Sequence, residues 1–202
     1  MKTICSSIAR AVAPFYLSLV VFAPSVNSAP IMPLKQAGEC TCWAAAAAMM
    51  LSAKYGVPYT ELSAADAAGT SYVTRVNAKI PGEQCENQGL PGDEVDAFAK
   101  AIGLAVNPIN NPTLARWRQM LSKGPVWAGI ALQDGNTKWF AHIIVVTSMS
   151  NTDGVNPDVT YADPSDGSFH TIMFDRLETV IENVPELWDS KTKLPTQFLY
   201  WP

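Results

Sequence analysis

The chain has 202 residues, 48% of them hydrophobic, with a formal net charge of −4 and a pI of about 5.1. That apolar content supplies a core for one domain, or for two lobes sharing an interface, and excludes a disordered protein. Acidic and basic residues are interspersed, so neither a nucleic-acid footprint nor a polybasic membrane surface is expected, and peptides or other neutral-to-basic polymers are the expected partners.

The N-terminus reads as a secretory signal peptide. Lys2 and Arg10 precede an apolar run over 11–26, and the small residues Ser28 and Ala29 follow. Pro14 and Pro24 interrupt the run, leaving too little length for a membrane-spanning helix. Val26 and Ser28 fit cleavage after Ser28, whereas cutting after Ala29 would put Pro30 directly behind the bond. The domain organisation expected is a signal peptide over 1–28 and one mature domain over 29–202, with 12 basic and 18 acidic residues and a formal charge of −6. The mature protein is then secreted or periplasmic, with no stable membrane insertion. Export removes Cys5 and leaves Cys40, Cys42 and Cys85, an odd set in a compartment where disulfides persist. Neighbours two apart rarely meet disulfide geometry, so Cys40 or Cys42 pairs with Cys85, closing a loop that stabilises by about 4 kcal/mol in the chain-entropy model. Pairing through Cys40 leaves Cys42 free; pairing through Cys42 would occupy it.

Next in order comes the strongest helix of the chain. Thr41 is its expected N-cap, residues 43–54 contain six alanines, two methionines and a leucine, and Gly56 supplies the stop. Cys42 thus falls in the first turn, where free N–H groups and the helix dipole favour a thiolate. Thr60 opens a second helix over 61–68, and 70–92 is expected to be mostly loop. Asp93 caps a helix over 94–102 whose apolar face is Val95, Phe98, Ala99 and Ile102, and Gly103 ends it. Pro108 and Pro112 mark the boundary between a helical lobe, about 36–106, and a β lobe, about 107–202. Thr113 opens a helix through Leu121. Strands follow at 126–132 and 139–149, joined by the turn residues Asp134, Gly135 and Asn136, then at 159–162 and 168–174 around a turn over 163–167. A short helix from Arg176 and a closing strand over 197–201 complete an α+β chain. Trp127, Trp139 and Trp188 read as ordinary core aromatics rather than as the lining of a cleft.

A Cys nucleophile needs a base, and the base needs an orienting group on its other nitrogen. His142 stands beside the apolar run 143–146, on a strand that would hold it rigidly, whereas His170 reads as a solvent-side residue. Asp163 ends the neighbouring strand and is the expected orienting carboxylate, with Asp166 as the alternative. Two histidines and no ligand pairs at metal spacing argue against a metal site.

Gln36, then Cys42-Trp43 six positions on, an alanine-rich helix, His142 on a later strand and a carboxylate some twenty residues beyond it resemble the papain-like cysteine peptidases. The likeness is strongest to the compact bacterial branch carrying Cys-Trp-Ala-Ala-Ala, which includes secreted effector proteases of the AvrRpt2 type. It covers about 31–167. The resemblance implies a papain-like two-lobe fold, with a central catalytic helix in an N-terminal helical lobe and a C-terminal antiparallel β lobe. It further implies a Cys42, His142, Asp163 triad, an oxyanion hole formed by Gln36 with the Cys42 N–H, and a Cys40–Cys85 disulfide. Many papain-type enzymes carry Asn where this chain offers Asp163, and the motif starts too soon after the expected cleavage point for a long inhibitory pro-segment. The function expected is peptide-bond hydrolysis through a thioester by a monomer acting on a protein or peptide substrate, with no metal or organic cofactor. The alternatives are a peptidoglycan amidase or endopeptidase acting on cell-wall peptides, and a secreted binding module without catalysis.

Overall fold

The structure is a computed structural model that describes residues 30–78, 85, 88–133, 139–150, 156–184 and 197–202. The signal-peptide segment, the Asp134-Gly135-Asn136 turn and Trp188 lie outside the described residues. Helix α1, Cys42–Tyr55, is buried on every side from Trp43 to Leu51. A helix that is apolar all round is stable only in a core, and five consecutive alanines let neighbouring layers approach its backbone. Gly56 ends it in the left-handed conformation, φ 68°, with its N–H on the Ser52 carbonyl.

Three short helices gather on α1. Helix α2, Glu61–Ala68, starts with a reciprocal capping box between Thr60 and Ser63. Helix α3, Thr70–Val76, occupies sequence that reads as loop, because threonine, valine and tyrosine are individually weak helix formers. Tertiary packing overrides that preference: Tyr72 is buried, with its ring 6.1 Å from Trp43 and 5.2 Å from Phe98. Helix α4, Val95–Ala101, has Glu94 rather than Asp93 at its N-cap, and no side-chain cap bond forms there. Its apolar face, Val95, Phe98 and Ala99 with Ile102 just beyond, is buried as the spacing predicts.

The second half builds an antiparallel six-stranded sheet in the order β1-β6-β2-β3-β4-β5. Its strands are β1 Ala105–Asn107, β2 Val126–Gln133, β3 Trp139–Met149, β4 Asp158–Asp163, β5 Ser168–Met173 and β6 Phe198–Tyr200. Strand β1 is too short to show any alternation in sequence, and its partner β6 lies at the far end of the chain. Alternate residues of the inner strands serve two cores. Trp127, Val145 and Leu199 face α1, while Val126, Ala128, Ile144, Val146 and Phe198 face helices α5, Leu114–Leu121, and α6, Phe174–Glu182. The α6 helix begins at Phe174, two residues before the expected Arg176, because Phe174, Leu177 and Ile181 form its buried stripe. Trp127 is core, as read. The fold is α+β, helical first and antiparallel second.

Ala47 has no accessible surface. Ala47→Leu inserts three heavy atoms where layers meet α1 and is expected to lower stability by about 1–3 kcal/mol, read as a lower urea midpoint. An unchanged midpoint would contradict this close packing.

Candidate active site

The site is built where three distant pieces of chain meet. Residues 31–36 form a strap without helix or strand. Ile31 and Leu34 pack on the α1 core, the Leu34 N–H lies 3.3 Å from Met49 Sδ, and the Gln36 N–H donates to the Pro164 carbonyl at 2.7 Å. The strap thereby ties the helical half to the turn after β4. Gly167 closes that turn at φ 74°, and a Cβ there would stand 2.8 Å from Lys35 Cβ and 2.9 Å from Lys35 N, so glycine is required twice over.

Between the strap and α1, the loop 36–41 is held by side chains at three of its peptide groups. Ala37 N–H donates to Glu61 Oε1 at 2.7 Å, Gly38 N–H to Thr41 Oγ1 at 3.0 Å, and Cys40 N–H to Gln88 Oε1 at 3.0 Å. Thr41 is the N-cap residue of α1, but its hydroxyl serves Gly38 and makes no cap bond to the helix. This corrects the expected capping role: the tight turn before the helix presents a nearer donor. Gln36 Nε2 donates to the carbonyls of Gly38 and Glu39, both at 2.8 Å, while its Oε1 is buried with no partner. Both amide hydrogens are therefore occupied by the loop itself.

Cys40 and Cys85 form a disulfide with their Cα atoms 5.5 Å apart, and Cys42 is free and half-buried at the start of α1. Of the two pairings that spacing allowed, the one that spares Cys42 is present. His142, buried on β3, hydrogen-bonds through Nε2 to Asp163 Oδ1 at 2.7 Å, and its ring also meets the Cys42 sulfur. With Nε2 engaged by the carboxylate, Nδ1 is the nitrogen left for the thiol. Asp163, the last residue of β4, accepts a second bond from the Ser165 N–H at 2.8 Å. Asp166 instead pairs with His170 at 2.8 Å on the exposed side of the turn. The four sequence candidates thus separate into one buried pair beside the thiol and one solvent-side pair away from it.

The electrostatics follow from these contacts. Burial alone would push the imidazole of His142 down, but its hydrogen bonds to Asp163 and Cys42 and their negative charges outweigh that and raise it from 6.5 to about 9. Burial pushes Asp163 up, and the bonds from His142 and Ser165 together with the imidazolium charge more than reverse this, to about 2. At neutral pH the pair is an imidazolium held by a carboxylate, next to the Cys42 sulfur at a helix N-terminus. Such an arrangement can run nucleophilic acyl transfer. Among the described residues no group of three or more His, Cys, Asp or Glu is placed to hold a metal ion.

Glu61, Gln88 and Gly167 are parts of the site that the sequence reading passed over. Glu61 looks there like an ordinary first-turn acid of α2, and Gln88 like one polar residue of a loop. Only the crossing of the chain reveals their partners.

A family model described as papain-like cysteine protease AvrRpt2 matches residues 31–178, well over half of the chain and all of the side chains above except the unmatched C-terminal core. No curated protein matches the chain.

The raised value of His142 makes the stabilisation from its pairing complete below pH 6.5, and that stabilisation is lost as the pH climbs from 6.5 toward about 9. For Asp163 it is complete above pH 3.8 and lost toward about pH 2. Asp163→Asn is therefore expected to lower the urea midpoint most between pH 3.8 and 6.5, and progressively less toward pH 9. A difference that stays constant across this range would contradict the ion pair.

Proposed function

The chain belongs to the papain-like cysteine protease AvrRpt2 family, and from that premise we propose that it is an exported cysteine peptidase working through Cys42, His142 and Asp163. The observation that carries this reading is the bridging position of His142, with Nε2 2.7 Å from Asp163 Oδ1 and the ring against the Cys42 sulfur. The thiolate attacks the carbonyl carbon of a peptide bond, forming the C–S bond. His142 then passes its Nδ1 proton to the amine as the C–N bond breaks, leaving a thioester. Water, losing one proton to Nδ1, attacks the thioester; the C–S bond breaks, restoring the thiolate beside the imidazolium, and the acid product gives its remaining proton to solvent and leaves as the carboxylate. Asp163 stays ionised throughout, holding the ring with Nδ1 toward sulfur.

The oxyanion of each tetrahedral intermediate needs donors. The Cys42 N–H lies in the first turn of α1, where N–H groups have no intrahelical partner. Gln36 supplies the second donor by exchanging one of its loop carbonyls for the oxyanion. A charged acceptor outcompetes a neutral carbonyl, so the exchange is favourable once charge has developed and contributes to the transition state rather than to substrate binding. Export is supported by the charged and apolar N-terminal sequence and by the Cys40–Cys85 disulfide, a bond that persists in oxidising compartments.

Cys42→Ala is expected to abolish cleavage of denatured casein, and Gln36→Ala to lower kcat by about 10²–10³ while leaving a measurable remainder. Equal and mild losses in both variants would refute the assignment. A thiol-directed epoxide should label Cys42 in the native protein, located by peptide mapping; an unlabelled Cys42 refutes it as well.

A further inference from the structure

Outside the proposed triad, one buried carboxylate touches the loop that carries it. Glu61 opens α2 and is 7% exposed, yet no cation among the described residues is paired with it. Its Oε1 takes the Ala37 N–H at 2.7 Å, and its carboxylate also meets the hydroxyl of Thr41, itself buried, the residue directly before Cys42. That hydroxyl has a single hydrogen and two claimants, Glu61 and the Gly38 carbonyl at 3.2 Å.

We propose that Glu61 is a positioning residue for acylation: through Ala37 and Thr41 its carboxylate fixes both ends of the loop between Gln36 and Cys42, and with them the two oxyanion donors. The inference rests on the catalytic reading above and adds a residue that does not touch the substrate. A displacement of about 1 Å in such donors costs about a hundredfold in rate, so a clamp on the loop acts on the chemical step. The clamp also has a charge requirement. Burial pushes Glu61 above the ordinary carboxylate value, against the bonds from Ala37 and Thr41. Acidification therefore protonates it, turns the acceptor that faces Thr41 into a donor and loosens the loop. The other ionisable groups on the surrounding elements face elsewhere. Lys35 and Glu39 of the strap and loop, Asp66 of α2, and Asp96 and Lys100 of α4 are exposed. Arg75 of α3 is paired with Glu94 at 2.6 Å, Tyr72 is packed on Trp43 and Phe98, and Lys54 of α1 lies over Trp201. Cys42 of α1 faces His142.

Two rates on the full mature chain test this. The burst of nitrophenolate from p-nitrophenyl acetate reports acylation, which builds an oxyanion; alkylation of Cys42 by iodoacetamide needs the thiolate but builds none. Glu61→Ala should lower acylation about tenfold or more while changing alkylation less than about twofold. Glu61→Gln, which keeps an oxygen for the Ala37 N–H but turns a donor toward Thr41 as the protonated acid does, should hold the ratio of acylation to alkylation at the lowered value of the acid form. In the native protein the ratio of the two rates should fall as acidification protonates Glu61, at a pH above the ordinary carboxylate range, and in Glu61→Gln it should stay flat. If Glu61→Ala does not fold, the pH dependence of the ratio decides alone. An unchanged ratio in all variants overturns the proposal, as does an equal loss of both rates, which marks Glu61 as part of the fold only. A native protein that neither alkylates at Cys42 nor releases nitrophenolate overturns the catalytic reading, and this inference with it.

Discussion

The burial of α1 on all sides is the constraint on which the rest of the molecule depends. From Ala44 to Ala48 the helix offers no side chain larger than a methyl group, so it cannot fill a core by its own bulk and must be enclosed. The filling comes from the neighbours: Trp43, Tyr72 and Phe98 interlock edge to face at one end, and Trp127, Val145 and Leu199 press from the sheet. A helix enclosed in this way can expose only its ends. Cys42, its first residue, is half-buried for that reason, and the loop before it lies in the space where the strap and the end of β4 converge.

Much of that loop has no regular partner strand or helix, so its peptide groups are satisfied by side chains instead. Glu61, Thr41 and Gln88 take the N–H groups of Ala37, Gly38 and Cys40, and Gln88 in turn donates to the carbonyls of Val76 and Ala78. Its own carbonyl accepts the Trp43 indole N–H. A buried polar network of this kind specifies one geometry because any member left alone would carry a desolvation penalty. The disulfide pins the same loop covalently at Cys40. The carbonyls of Gly38 and Glu39 hold the Gln36 amide, so the proposed oxyanion donor and the loop constrain each other.

How far the sequence revealed this depends on whether the controlling contact is local. The helix α1, its stop at Gly56, the capping of α2 and α5, and the alternation of β2 and β3 are local properties, and they are legible. His142 and Asp163 were legible as types on adjacent strands, because strand order could be read from short connections. Asp166 was not separable from Asp163 in sequence, since the two lie in one turn; the distinction is which histidine each faces, His142 of β3 or His170 of β5. Helix α3 and strand β1 were illegible for the opposite reason: their stability resides in Tyr72 meeting Trp43 and in Ala105 pairing with Tyr200, contacts made across most of the fold. Glu61 belongs to the same class, a residue ordinary in its own helix whose partner is a loop 24 positions away.

The coupling of strap to turn explains how pieces so far apart in sequence hold a common geometry. Gln36 and Asp163 sit one bond apart across the Gln36 to Pro164 hydrogen bond, although 127 positions separate them in the chain. That bond exists because Gly167 lets Lys35 approach to a distance no other residue permits. Any shift of the turn that carries Asp163 therefore moves the strap, and any shift of the strap moves the loop before Cys42. Errors in the two halves of the proposed site are correlated rather than independent. Placing a nucleophile, a base and an orienting carboxylate within a fraction of an ångström demands such correlation when each comes from a different element. The helical half and the sheet half thus work as one frame at the point where the chemistry is proposed, even though their hydrophobic cores lie on opposite faces of the sheet.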